Sequence, residues 1–196
     1  MSVGRKRLAV LGGVQPLLTV SVVAHRFLGM GFSGSFIVAR AGRPLTNLAA
    51  MQASDCVPLW WARDGEWQIM QACPLADPEP SIISETSGSV LVCHVVDSDF
   101  ATVQAASPDG LSWQCALSPE MARDCGLPGE WIGDPAGVGE RAAAWARGAG
   151  LRPDPVALRA ALVEESDPLA EDLVFALVHA LGFRFRDGVV LEMPVV

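Results

Sequence analysis

The stretch Leu59–Met70 (LWWARDGEWQIM) decides the fold, because it has the pattern of a tight β-hairpin. Two runs rich in tryptophan and aliphatic residues flank Asp64-Gly65, a dipeptide that tolerates the positive φ of a two-residue turn. Since successive strand residues point to opposite faces, Trp61 is predicted on one face of the hairpin. The other face is predicted to carry three large apolar side chains: Trp60, Trp67 and Ile69.

Further strands are predicted on both sides of this hairpin. Residues 34–40 (GSFIVAR) precede it and are rich in β-branched and aromatic residues. Residues 89–117 follow it as a meander of three strands, with a turn at Asp109-Gly110. About six antiparallel strands are therefore expected in residues 30–117.

The apolar period changes from that of a strand to that of a helix after residue 117. Asp-Pro dipeptides are typical helix starts, because Asp caps the first turn and Pro suits its first position. Three of them follow: Asp134-Pro135, Asp154-Pro155 and Asp167-Pro168. Strands first and helices later predict an α+β domain, an antiparallel meander sheet followed by three or four helices packed on one face. Residues 183–196 contain Asp187-Gly188 and predict a short C-terminal hairpin.

Residues 1–29 differ from the rest of the chain in charge, with four basic residues and no acidic one. Their basic start and apolar middle are typical of a signal peptide, and Met30 directly precedes the first predicted strand. We therefore expect a leader in residues 1–29, either signal-like or upstream of the true start. Residues 30–196 are expected to form a single α+β domain. Its predicted parts are mainly strands in 30–117, mainly helices in 118–182 and the hairpin in 183–196.

The chain is acidic, with 22 acidic against 14 basic residues and a net charge of −8. Because four of the basic residues lie in the leader, the body is more acidic still and would repel phosphate backbones. Nucleic-acid binding is therefore not expected. Nearly all of the basic residues are Arg and Tyr is absent, a bias typical of a GC-rich bacterial genome.

The five cysteines favour a reducing compartment. Their number is odd and no C-x-x-C pair occurs, so neither a disulfide framework nor a zinc site is predicted. We expect the protein in the cytoplasm, with secretion as the alternative if residues 1–24 are a cleaved signal peptide. A membrane is expected as a partner only if residues 1–29 are retained as an anchor.

One catalytic hypothesis involves Cys93, His94 and Asp97. A thiol, an imidazole and a carboxylate can act as nucleophile, base and orienting group, as in a hydrolase or transferase. Neighbours on a strand point to opposite faces, so a thiol from another strand, such as Cys115, would have to meet His94. The competing interpretation is a histidine packed or hydrogen-bonded within the sheet.

A glycine motif and an acidic cluster provide weaker evidence for a functional site. Gly29-x-Gly31-x-x-Gly34 matches a dinucleotide-binding fingerprint, but residues 36–38 favour a strand where the fingerprint needs a helix. Acids near Asp167-Pro168 are typical of a helix N-terminus, where they complement the dipole. No cofactor and no metal site are predicted.

The tryptophan hairpin is the most favourable place for a function. Trp and Arg are enriched in binding hot spots, and Trp60, Trp61, Arg63 and Glu66 lie together near its turn. The sequence therefore predicts a small acidic binding or interaction module without catalysis. Its partner would be a protein or a small molecule. The alternative is the hydrolase or transferase described above.

Overall fold

The computed structural model describes residues 31–53, 57–73, 80–86, 88–165 and 169–190. Its strands are β1 Gly34–Arg40, β2 Val57–Asp64, β3 Trp67–Cys73, β4 Val90–Val96, β5 Phe100–Ala106, β6 Ser112–Leu117 and β7 Arg186–Val190. Its α-helices are α1 Ala49–Ala53, α2 Pro80–Glu85, α3 Pro119–Asp124, α4 Pro135–Gly148, α5 Pro155–Val163 and α6 Ala170–Ala180.

The seven strands form one antiparallel sheet in the order β6-β5-β4-β1-β3-β2-β7. The α+β class is confirmed, and β4, β5 and β6 form the predicted meander. The sheet is not one continuous meander, however, because β1 lies between β3 and β4. Residues 34–39 of β1 are all buried, and a strand that is apolar on both faces is suited to the centre of a covered sheet.

The hairpin β2–β3 has the predicted faces but a different register. Asp64 pairs with Trp67 and Arg63 with Gln68, so the turn is Gly65-Glu66 and not Asp64-Gly65. Gly65 has φ +60°, at the first turn position, where glycine is favoured in tight hairpins. The predicted faces are nevertheless correct. Relative to the predicted pairing both strands shift by one residue, so each residue still pairs with a residue of its own predicted face.

The predicted C-terminal hairpin does not form in residues 183–190, and residues 191–196 lie outside the described part of the chain. Instead β7 is a single strand that pairs with β2. The free edge of β2 offers backbone groups to pair with, which a local turn would leave unused. The pairing shifts between Trp61 and Arg63, so that Asp187 and Gly188 together oppose Ala62. The dipeptide therefore marks a bulge within the strand.

The two faces of the sheet are covered differently. On the face that we call the first face, α4, α5 and α6 enclose a large core in which Trp145, Phe36, Phe183 and Leu177 are fully buried. The prediction of three or four helices on one face is confirmed for these three. On the second face, α1 and α2 cover β1, β3 and part of β4, and α3 packs at one end of β5 and β6.

Two of the first-face helices begin as their Asp-Pro dipeptides predict. Asp134 accepts a hydrogen bond from the Gly137 N–H at 2.9 Å. Asp154 accepts from the backbone N–H groups of Val156 and Ala157 at 2.9 and 3.1 Å. These carboxylates satisfy donors that a helix start otherwise leaves without partners. The third dipeptide, Asp167-Pro168, lies outside the described residues.

Two of the second-face helices are capped by glutamates from elsewhere in the chain. Glu85 accepts hydrogen bonds from the N–H groups of Ala49 and Ala50 at the start of α1. Those donors hold the pKa of Glu85 below its usual value. Glu165 accepts from the Glu120 N–H at the start of α3 at 3.0 Å. Carboxylates thus support helix starts on both faces, but only the first-face caps are local in sequence.

Candidate functional site

A cleft of about 430 Å³ lies on the second face beside α2. Its floor comes from β4, β5 and β6. The apolar part of its lining comprises Ile82, Val90 and Val92, and the polar part comprises Gln104, Ser112, Gln114 and Arg141. Trp113 and the small residues Ala105 and Ala106 complete the lining.

Cross-strand pairing places these side chains in rows. Val92 pairs with Gln104, and Gln104 pairs with Gln114, so the three lie side by side across the sheet. The next row runs from Val90 through Ala106 to Ser112. An apolar β4 therefore borders polar groups on β5 and β6, and the amides of Gln104 and Gln114 remain half-buried.

The cleft reaches the edge of the sheet at β6. Arg141 belongs to α4, which packs on the first face, so its side chain joins the lining beside this edge strand. Arg141 is exposed, and no acidic side chain in the described part of the chain lies within ion-pair distance of it. A guanidinium without an acidic partner in the described residues, beside the polar side chains of β6, is suited to an anion.

Trp113 follows Ser112 on β6, and its side chain points away from Ser112 and Gln114 into the first-face core. Its side chain is only 4% exposed, and its ring lies 6.3 Å from that of Trp145. The Trp145 indole N–H donates to the Ala106 carbonyl at 3.1 Å. The Trp113 indole N–H, in contrast, has no acceptor within the described residues. A buried indole usually finds an acceptor, so this donor is unused by the fold.

The two predicted tryptophans of the hairpin are half-buried and lie on opposite faces, as predicted. Trp60 packs against Phe175 of α6, with ring centroids 5.8 Å apart. The Trp61 indole N–H donates to the side-chain oxygen of Gln68 at 3.0 Å. Gln68 is fully buried and also binds the Ala41 carbonyl. Both rings therefore have a part in packing.

The charged pair at the hairpin turn is exposed. The Arg63 side chain donates to the Gly65 carbonyl at 2.9 Å. Glu66 forms an ion pair with Arg40 of β1. The structure therefore does not gather the four hairpin residues into one patch, because Trp60 and Trp61 face apart and both charges bind groups of their own sheet.

The structure does not assemble the predicted thiol site either. Cys93 and Cys115 are buried in the first-face core, whereas His94 lies on the second face with its neighbour Val92. Burial raises the pKa of Cys115 to about 12 and raises that of Cys93 as well. Thiols in this environment are inert at neutral pH.

His94 and Asp97 also have separate partners. The His94 Nδ1 lies 3.0 Å from the hydroxyl oxygen of Ser35, which is fully buried and out of reach of a substrate. Asp97 occupies the turn after β4, where it accepts from the Ser33 hydroxyl and donates its own N–H to that oxygen. His94 thus matches the sheet histidine of the competing interpretation.

Close backbone contacts explain two glycines of the motif, whereas Gly29 lies outside the described residues. A Cβ on Gly31 would lie 1.9 Å from the Asp97 carbonyl oxygen, and one on Gly34 would lie 2.6 Å from the Ala72 carbonyl oxygen. Gly34 opens a strand and not a helix, so the dinucleotide fingerprint has no structural counterpart here.

Within the described ranges, no group of three His, Cys, Asp or Glu side chains could hold a metal ion. None of the helices in those ranges combines the length and the apolar character that crossing a bilayer requires.

The cleft residues were missed at the level of sequence. The available signal was the alternation in residues 111–117, which sets Ser112 and Gln114 apart from the core side chains. That pattern indicates only a solvated face. The contribution of Arg141 depends on how α4 lies beside β6, which no local pattern indicates.

Comparisons of the chain with protein-family models, curated proteins and solved structures gave no significant match. The function of the chain therefore has to be inferred from the site itself.

Proposed function

We propose that this chain is a small acidic binding module without catalysis, and that the cleft on the second face is its ligand site. The observation that carries the proposal is the lining of the cleft, an apolar wall from α2 and β4 bordered by hydrogen-bonding groups on β5 and β6 that the described part of the fold leaves largely unused. The Gln104 amide makes no hydrogen bond within the described residues, and Gln114 makes one long contact of 3.5 Å with the Glu130 carbonyl.

The dimensions of the cleft favour a small molecule. Pockets for such ligands typically measure roughly 300–1,000 Å³ and are largely apolar with a few polar groups. A cleft of about 430 Å³ with one valine-rich wall and two amides fits that description. A protein partner at the hairpin turn is supported less, because Arg63 and Glu66 already bind neighbouring groups.

The chemistry of the lining favours binding over catalysis. Among the described residues that line the cleft, Arg141 is the one ionisable side chain, and a guanidinium does not exchange protons near neutral pH. These residues offer no thiol, imidazole or carboxylate to act as nucleophile or general base.

The described cysteines support a cytoplasmic location. Cys73, Cys93, Cys115 and Cys125 all carry free thiols. Free thiols are typical of a reducing compartment, so we propose a cytoplasmic location for the module.

A fragment screen followed by amide chemical shifts of the isotope-labelled protein tests the proposal. We expect fragments to perturb the backbone amides of β5 and β6 around Gln104 and Gln114. Gln114→Trp, which fills the cleft, should abolish these shifts. Arg159→Trp, at an exposed position of α5 outside the cleft, is the matched control and should leave them unchanged. Shifts confined to residues 59–70 would move the site to the hairpin and contradict the proposal.

A further inference from the structure

The polar end of the cleft indicates the chemical class of its ligand. We infer that the cleft binds a small apolar monocarboxylate, with Arg141 as the partner of the carboxylate. This inference rests on the proposed function, because it assumes that the cleft is the ligand site.

Arg141 supplies the charge. Its guanidinium lines the cleft, and no acid in the described residues neutralises it. A planar guanidinium matches a carboxylate with two parallel hydrogen bonds. Because the side chain is exposed when the cleft is empty, it is free to adopt the geometry that a ligand requires.

The number of charges selects a carboxylate over a phosphate. The cleft offers one cation, and a monoanion neutralises it without leaving an excess negative charge. The chain has a net charge of −8, so a doubly charged ligand would be repelled more strongly than a singly charged one. A phosphate monoester is therefore the expected weak binder.

The opposite wall fixes the rest of the ligand. Ile82, Val90 and Val92 form an apolar surface that favours a hydrocarbon chain or ring. Gln104 and Gln114 lie between this wall and the edge of the sheet, and each amide both donates and accepts. They suit a hydroxyl or amide group on the body of the ligand.

Titrations with three matched sets of probes test the inference on the full chain. Hexanoate and phenylacetate are compared with hexanamide and phenylacetamide, and with hexyl phosphate. Calorimetry gives the affinities, and amide chemical shifts locate the binding. We expect the carboxylates to bind in the cleft. Both the amides and the phosphate should bind with an affinity at least roughly tenfold lower.

Variants test whether Arg141 is the residue that binds the carboxylate. Arg141→Gln should reduce the affinity for the carboxylates to that for the amides and leave the amides unaffected. Arg159→Gln, which removes an exposed arginine of α5 outside the cleft, should change neither. Since both arginines are exposed, neither variant is expected to disturb the core.

The possible failures are distinguishable. Amides that bind in the cleft as tightly as the acids would overturn the carboxylate assignment and leave the cleft as the ligand site. If Arg141→Gln leaves the affinity for the acids unchanged, the carboxylate assignment is also overturned and the cleft remains the ligand site. If neither acids nor amides perturb β5 and β6 while fragments bind elsewhere, the inference and the proposed function both fall.

Discussion

The first face of the sheet is sealed by long helices, whereas the second face is covered in pieces. An α-helix rises about 1.5 Å per residue and neighbouring strands lie about 4.8 Å apart. The 14 residues of α4 and the 11 of α6 can therefore span three strands or more. The 5 residues of α1 and the 6 of α2 span about two. The length of its covering helices thus leaves part of the second face open.

The two faces differ in whether they can hold polar side chains that have no partner in the protein. On the first face, side chains such as Trp145 and Leu177 are fully buried, and a polar group there would need a partner. On the open part of the second face, Gln104 and Gln114 stay half-buried and keep contact with water. The uncovered strands can therefore carry binding groups at little cost in stability.

The largest expected effect is in thiol reactivity, which tests whether the first face is sealed. Burial raises the pKa of Cys115 from 9.0 to about 12, so its thiolate fraction at neutral pH should fall by about a thousandfold. We expect iodoacetamide to modify Cys125, which is exposed, and to leave Cys93 and Cys115 unmodified until the protein unfolds. Peptide mass mapping measures both. Native modification of Cys115 at the rate of Cys125 would refute the sealed face.

Matched leucine truncations compare the cores of the two faces. Leu177→Ala on the first face is expected to lower the free energy of unfolding by about 4 kcal/mol, in the upper part of the range for buried leucine. Leu48→Ala on the second face should cost about 2–3 kcal/mol, because short neighbouring helices can relax into the space. Urea denaturation measures the two values. Equal losses would show that the piecewise cover is packed as rigidly as the continuous one.

A helix cap on the first face provides a smaller change. Asp154→Ala removes an acceptor from two N–H groups at the start of α5 and is expected to cost about 1 kcal/mol. Asp124→Ala, at an exposed position of α3, is the control and should change stability by less than about 0.5 kcal/mol. If both variants unfold at the urea concentration of the unchanged protein, the local cap contributes nothing to the first-face helices.

Glu171 tests the effect of a carboxyl buried where α6 meets the turn after β4. It accepts from the Ser98 hydroxyl at 2.9 Å, and burial raises the pKa of its carboxyl above the usual 4.5. The folded state therefore binds the proton more tightly than the unfolded state. The resulting stabilisation is present below pH 4.5 and is lost as the pH rises through the folded pKa.

Glu171→Gln keeps the side chain neutral and should be more stable than the unchanged protein at pH 8, with the two converging near pH 4. Urea midpoints across that range measure the gap. Glu164→Gln, at an exposed position, should show no such gap. A difference in stability that widens as the pH falls would contradict the expected direction of the effect.

The smallest expected effect is that of Gln114→Ala. Its side chain is half-buried and makes one long hydrogen bond, so we expect a change in stability of less than about 0.5 kcal/mol. The same variant should weaken ligand binding in the cleft. A loss of stability of the size seen on the first face would mean that the amide holds the sheet together.

Prediction from the sequence succeeded where the signal is local. Alternation in residues 59–70 placed Trp60 and Trp61 on opposite faces, and the dipeptides at Asp134 and Asp154 marked two helix starts. It failed where a distant segment competes. Asp187-Gly188 suggested a turn, yet the open edge of β2 binds that segment as a strand.

The sequence by itself therefore determined the class of fold, the faces of the strands and the local caps, because each depends on residues a few positions apart. Tertiary structure alone decided that β1 lies at the centre of the sheet, that Glu85 and Glu165 cap distant helices, and that Arg141 lines a cleft with Gln104. These features depend on which segments meet after the chain has closed long loops. Pairing and packing across the whole domain determine which segments meet, and no local sequence pattern predicts this.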